Sequence, residues 1–382
     1  LQGAIASAVG SGAASIISRL LGQNERKKAG ETALNAMAVF YISAIIITIL
    51  GFIFMNPILR AMGVTDELYP LARDYFIIIL AGNVFSTGFS SIIRAEGKMI
   101  YALLIWVIPI SVNIALDALF ILVFKWGVIG SAAATVICQF TSFIMSVVFF
   151  AKFSVLKFKG AKLHIKSAGE ILAIGLPSLV QMGSVSVLSA IVNKTLSSVA
   201  GTAGVNAFAY ISKIMTFGIV PFTAVSQSLS PIVGYNFGAG KNDRVKKAVS
   251  FCFLISFVYS VFAVLVTELF PKIFIEIFTS DAALVSYAAD GLKIVVLSLL
   301  FMFTPMLFGA FFQALGKKSG AFIMYSANLI FMVPALLIAS RNDEISAVWK
   351  AYTFSSVVSS VFAAVFYLFV KKRSVEKTTQ VC

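Results

Sequence analysis

The chain has 382 residues, 59% of them hydrophobic and 12% charged, with a formal net charge of +14. Soluble domains carry about 25% charged residues and roughly 45–50% apolar ones, so a mean hydropathy of +0.97 excludes a string of soluble domains and leaves a polytopic membrane protein. The basic excess would fit nucleic acid in a soluble protein, but its placement along this chain, described below, argues against that partner.

A helix needs about 20 apolar residues to cross a hydrocarbon core of about 30 Å. By that ruler eleven spans follow one another, at 1–18, 33–54, 71–92, 100–124, 129–151, 169–193, 205–226, 248–270, 284–312, 320–340 and 346–370. Runs of this length are helices, because barrel strands would be about ten residues with strict alternation. The expected fold is therefore all-α. Pro109, Pro221 and Pro334 lie inside spans. The longest run, 284–312, contains Pro305 and Gly309 and is expected to tilt or bend. Between the fifth and sixth spans, "KFSVLKFKGAKLHIK" is basic and partly amphipathic, which predicts a linker lying on the inner membrane surface. Alternate loops carry 21 and 7 basic residues. The richer set, with the linker and the C-terminus, is assigned to the cytoplasm. Cys138, Cys252, Cys382 and the single His164 form no ligand cluster, so no metal site and no cofactor is expected.

The chain resembles itself. "IIRAEGK" at 92–98 parallels "FFQALGK" at 311–317, "RLLGQNERKKA" from Arg19 parallels "YNFGAGKNDRV" from Tyr235, Pro57 parallels Pro271, and Asp74 parallels Asp290, at offsets of 214 to 219. That offset spans six helices. An even number preserves orientation, so the halves are parallel repeats about an axis near the membrane normal. The expected organisation is an N-lobe over 1–151, a cytoplasmic linker over 152–168, a C-lobe over 169–370 and a cytoplasmic tail over 371–382. The span at 169–193 has no upstream counterpart, which predicts a further helix ahead of Leu1. The full design is then two six-helix lobes, with eleven helices in this sequence and the first one missing.

Several local patterns in this order resemble the MATE (multidrug and toxic compound extrusion) family, in its bacterial branch. They are "ISRLLGQNERKKA" after the first span, "IIRAEGK" followed by "NIALDALFI" at 113–121, "GVIGSAAATVICQ" at 127–139, "GLPS" from Gly175, and "FTAVSQSLSPIVGYNFGAG" at 222–240. Ala224 and Ser228 stand near Gln227 where the family often has glycine. The resemblance implies a monomeric secondary antiporter of the bacterial cytoplasmic membrane. It would export amphipathic, cationic organic compounds and drugs in exchange for protons or sodium, by rocking between two lobes. The run 284–312 lacks the deep acid of some sodium-coupled members, which favours protons. The alternative within the same superfamily is a lipid-linked oligosaccharide flippase. No ATPase motif is present, since "GAGKNDR" lacks the GxxxxGK[ST] spacing, and no nucleophile–base set points to an enzyme.

Asp117 is the leading candidate for ion coupling or substrate binding. A carboxylate within a span is costly unless it faces a cavity or a partner, and Asn113, four residues earlier, shares its helical face. It can bind a proton or a cation, so competition between them would give exchange. Polar stripes mark further cavity-lining candidates: Asn83, Thr87 and Ser90 on one helix; Gln181, Ser184, Ser189 and Asn193 on another; and Gln227. Ordinary interhelical hydrogen bonding is an equal reading for each. Lys213 lies within a span and is the best support for a flippase, whereas Lys293 has Asp290 three residues earlier as a local partner.

Overall fold

The computed structural model describes residues 2–85, 88–341 and 344–379, with side chains as far as Val370. Thr87 and Cys382 lie outside the described residues. The helices are α1 (Gln2–Gly22), α2 (Arg26–Ile53), α3 (Met55–Ala61), α4 (Tyr69–Gly82), α5 (Phe89–Ala95), α6 (Met99–Ala118), α7 (Gly127–Lys152), α8 (Ile165–Gly238), α9 (Asn242–Leu269), α10 (Pro271–Glu276), α11 (Ala282–Val296), α12 (Leu299–Ala314), α13 (Lys318–Ala339) and α14 (Ile345–Thr379). Short helical turns extend α4 over Asn83–Phe85 and α6 over Leu119–Val123. No strand occurs among the described residues.

Nine of these helical segments are long and apolar enough to cross a bilayer, or ten when α11 and α12 count as one bent span. The 74 residues of α8 would extend about 110 Å at 1.5 Å per residue, far beyond a hydrocarbon core. Gly201, at φ 59° and ψ −148°, breaks α8 into 165–200 and 202–238. Among the described residues, each of the eleven predicted spans is thus mainly helical. The bend expected near Pro305 lies elsewhere. It measures 47° between α11 and α12, where Ser298 N bonds Val295 O at 3.0 Å and Leu300 N bonds Leu297 O at 3.2 Å. These i→i−3 bonds tighten the turn. Gly309 serves packing instead, because a Cβ there would meet the Tyr325 ring at 2.4 Å.

Two of the four sequence matches fall on helix-termination signals. Gly97 (φ 79°) and Gly316 (φ 73°) occupy the left-handed position after α5 and α12. In both places the glycine N–H and the next one fold back, to Arg94 O and Ile93 O, and to Gln313 O and Phe312 O. Such paired bonds satisfy the last carbonyls of a helix. Asn24 (φ 62°) and Gly240 (φ 70°) do the same after α1 and α8.

Contacts divide the chain into two units, one running to Leu179 and adding Phe237–Gly240, the other holding Val180–Asn236 and the chain from Lys241 onward. In the first unit α6 and α4 pack on α7; in the second α13 and α11 pack on α14. The same contact pattern therefore recurs at the repeat offset. The core of the second unit joins Val192, Phe222, Leu292, Leu307, Leu336 and Trp349.

The first unit gathers Val9, Ile17, Phe40, Ile92 and Ile171 around α1. Here α1 meets segment 165–179 backbone to backbone. A Cβ on Gly12 would stand 2.1 Å from Ile171 O, and one on Gly175 would stand 2.0 Å from Ala8 O. The Ser11 and Ser178 hydroxyls bond at 2.8 Å beside this crossing. Small residues of this kind let membrane helices pack on van der Waals contact, where hydrophobic burial supplies no drive.

The linker is a strap fastened to the first unit. Glu96 accepts from Ser154 Oγ at 2.9 Å and from Val155 N at 2.7 Å. Burial pushes its carboxyl above the usual carboxylate range, against the pull of those bonds. Leu156 is buried, Phe158 meets Phe150 edge-on at 6.0 Å, and Asn35 donates to Lys162 O while accepting from His164 N.

Two predictions follow from these contacts. Gly175→Leu forces backbones apart, so the thermal midpoint in detergent should fall by the equivalent of at least ~2 kcal/mol, while Gly3→Ala, with nothing within 4 Å, leaves it unchanged. Glu96→Ala removes bonds to a charged acceptor, each worth roughly 1.5–3 kcal/mol; amide exchange at 153–158 should accelerate while the helices stay protected.

Candidate functional site

α6 and α7 of the first unit turn two polar stripes toward each other. On α6 the stripe runs Trp106, Ile110, Asn113 and Asp117; on α7 it runs Cys138, Gln139, Ser142 and Ser146. Spacings of three and four residues keep each set on one face. Between them, with Phe85 and Ser90 contributing from the α4–α5 region, lies a cavity of about 220 Å³ lined also by Ile105 and Pro109. Pro109 has no N–H, so the Ile105 carbonyl loses its helical donor and opens toward the same wall. The cavity is mainly apolar, with hydroxyls and one carboxamide on its α7 side.

Three side-chain atoms at this helix pair are buried without a hydrogen-bond partner: Asn113 Nδ2, Asp117 Oδ1 and Gln139 Oε1. Asn113 and Asp117 extend the Trp106–Ile110 wall by one and two turns. An unmet buried polar atom costs about 1–3 kcal/mol, and more for a charged group. One donor and two acceptors are therefore unmet at this helix pair; Gln139 lines the cavity, whereas Asn113 and Asp117 lie beyond its lining residues on α6. Just beyond Asp117 the helix widens into a π-turn over Leu119–Val123, with Phe124 N bonding Leu119 O at 3.0 Å. Such turns recur at functional sites.

The other candidates are dispersed. Asn83 donates to Ala44 O at 3.2 Å and Thr48 Oγ1 at 3.3 Å, so it ties α4 to α2. Ser90 lines the cavity. Gln181, Asn193, Lys213 and Gln227 belong to the second unit; Gln181 and Asn193 are half-buried, and Gln227 is exposed. Lys213 sets its ammonium 5.3 Å over the Phe278 ring, which Tyr210 also stacks against. Asp290 and Lys293 are both exposed and are not among the three ion pairs of the described residues. No group of three or more His, Cys, Asp or Glu among those residues could hold a metal ion. Sequence reasoning missed Gln139, Cys138 and Ser142. Their signal was a helical stripe of small polar residues hidden in an alanine- and serine-rich span.

Comparison with known proteins adds to this geometry. The sequence model of the MatE family matches residues 1–119 and 177–338. The multidrug export protein MepA of Staphylococcus aureus is 24% identical over 366 residues, covering 94% of this chain and 80% of MepA. MepA of Staphylococcus haemolyticus is 24% identical over 379 residues, covering 97% and 83%. Among solved structures, an outward-facing multidrug resistance MATE family transporter of the MOP superfamily superposes with a TM-score of 0.91 at 25% identity, covering 99% of this chain and 86% of that one. The Vibrio cholerae MATE transporter VcmN gives a TM-score of 0.92 at 22% identity, covering 97% and 86%.

Polar atoms kept unpaired for a ligand should cost stability in its absence. Asn113→Leu and Gln139→Leu are expected to raise the thermal midpoint of the purified protein by the equivalent of about 1 kcal/mol each. A drop of that size would mean the two groups already have structural partners.

Proposed function

This chain belongs to the MatE family of membrane transporters, which are not enzymes, and on that premise we propose that it exports amphipathic cationic drugs across a bacterial cytoplasmic membrane in exchange for protons. The observation that carries this reading is the buried, unpaired Oδ1 of Asp117, with Asn113 one turn before it on α6, on the helix that also walls the cavity of the first unit. A carboxylate in a low-dielectric site must be neutralised by a proton or a cation. The two ligands compete for one charge, so loading one releases the other, and binding couples to exchange without a second site. The apolar walls from Phe85, Ile105 and Trp106 suit the hydrophobic body of such a substrate.

A lone acid without neighbouring carboxylates suits a proton better than a sodium ion, which takes several oxygen ligands. Basic loops place the linker and C-terminus in the cytoplasm. The protein acts as a monomer, with the lobes alternating access to the cavity. A flippase for lipid-linked oligosaccharides would need a cationic site, and Lys213, its best support, already lies over Phe278.

In proteoliposomes, an imposed pH gradient should drive efflux of a fluorescent organic cation, and a sodium gradient alone should not. Asp117→Asn should reduce that efflux to background while the protein inserts and melts as the wild type does. Undiminished efflux would remove Asp117 from the mechanism.

A further inference from the structure

The strap between α7 and α8 has two faces. Ser154, Leu156 and Phe158 turn inward to Glu96 and the core of the first unit. Phe153, Val155, Lys157 and Lys159 turn outward and are exposed. Past the turn at Gly160 (φ 77°), the outward side continues through Lys162, Leu163, His164, Ile165 and Lys166. Leu163 is 63% exposed and Ile165 is 95% exposed. Two large aliphatic side chains held in water are unfavourable, and basic neighbours on both sides make this an amphipathic surface.

The height of this surface is fixed. Asn35 clamps the backbone on both sides of Leu163, through Lys162 O at 3.1 Å and His164 N at 2.8 Å. Asn35 lies at the start of the apolar run 33–54 of α2, where the hydrocarbon begins. Lys157 N also reaches Arg26 O at 3.4 Å in the first turn of α2, and Lys157 O sits against Gly30. The strap is therefore held at the membrane–water boundary rather than free in the cytoplasm.

We propose that this strap is a contact site for anionic phospholipid of the adjacent leaflet. Leu163 and Ile165 insert beside the glycerol and upper acyl region, and Lys159, Lys162 and Lys166 meet the phosphate headgroups. Charge complementarity selects an anionic headgroup over a zwitterionic one, and the clamp at Asn35 means that no ordering cost is paid on contact.

The test places a nitroxide at Leu163→Cys, Ile165→Cys or Lys159→Cys in a background carrying C138S, C252S and C382S. Collision accessibility is read in phosphatidylglycerol-rich vesicles. Labels at 163 and 165 should be accessible to oxygen and shielded from a water-soluble nickel chelate, while the label at 159 stays open to nickel. Native mass spectrometry should show retained phosphatidylglycerol exceeding retained phosphatidylcholine. The triple substitution K159Q, K162Q and K166Q should lower that preference at least tenfold. Free access of nickel to 163 and 165, or equal retention of the two lipids by the unsubstituted protein, would overturn the proposal. Neither readout depends on transport, so a failure here is distinct from failure of the export reading.

Discussion

Hydrocarbon offers no hydrogen bonds, and the rest of this structure follows from that constraint. Every backbone group within the bilayer must find its partner inside its own segment, so the described spans are all helices. Their ends need left-handed caps such as Gly97, Asn24, Gly240 and Gly316 to close the last carbonyls. The same solvent removes the hydrophobic drive for helices to meet one another. Association then depends on close approach, which is why Gly12 and Gly175 bring α1 and segment 165–179 to backbone contact with the Ser11–Ser178 bond beside them.

Of the eight buried side-chain atoms left unpaired among the described residues, three lie on α6 and α7. Ser146, Thr135 and Thr141 return their hydroxyls to their own helix at the fourth preceding carbonyl. Asn113, Asp117 and Gln139 do not, and each keeps a buried atom unpaired. Natural proteins tolerate such costs where function needs them. Pro109 and the π-turn at Leu119–Val123 loosen α6 on both sides of the pair. The helix that carries the acid thus has its regular bonding interrupted twice. The cavity bounded by that helix has a mainly apolar wall.

Much of the fold was legible in sequence because span length and loop charge are direct consequences of bilayer thickness and of the topology rule. The repeat was legible because helix caps need particular residues: "AEGK" and "ALGK" are both glycine-terminated helix ends. Asp117 and Asn113 drew notice in the sequence because a carboxylate in an apolar run has few bland explanations. Other features were not. The bend between α11 and α12 falls at Leu297–Ser298, with no proline or glycine to mark it. The partners of Gly12 and Gly175 lie more than 150 residues apart in sequence, so only the fold pairs them. The anchoring of the strap was hidden because the residues that pin it, Glu96 and Asn35, are far from it in sequence. Asn83 read as cavity-lining but ties α4 to α2, since spacing alone cannot tell a cavity from a neighbouring helix.

The central claim is that one carboxylate, Asp117, holds either a proton or the cationic part of a substrate. Proton release on binding of an organic cation tests it most directly, read calorimetrically in detergent by comparing buffers of different ionisation enthalpy. The account predicts release of up to one proton per cation bound in the wild type, and none in Asp117→Asn. Equal proton release in the two proteins, or cation binding by the wild type without any release at any pH, would contradict it.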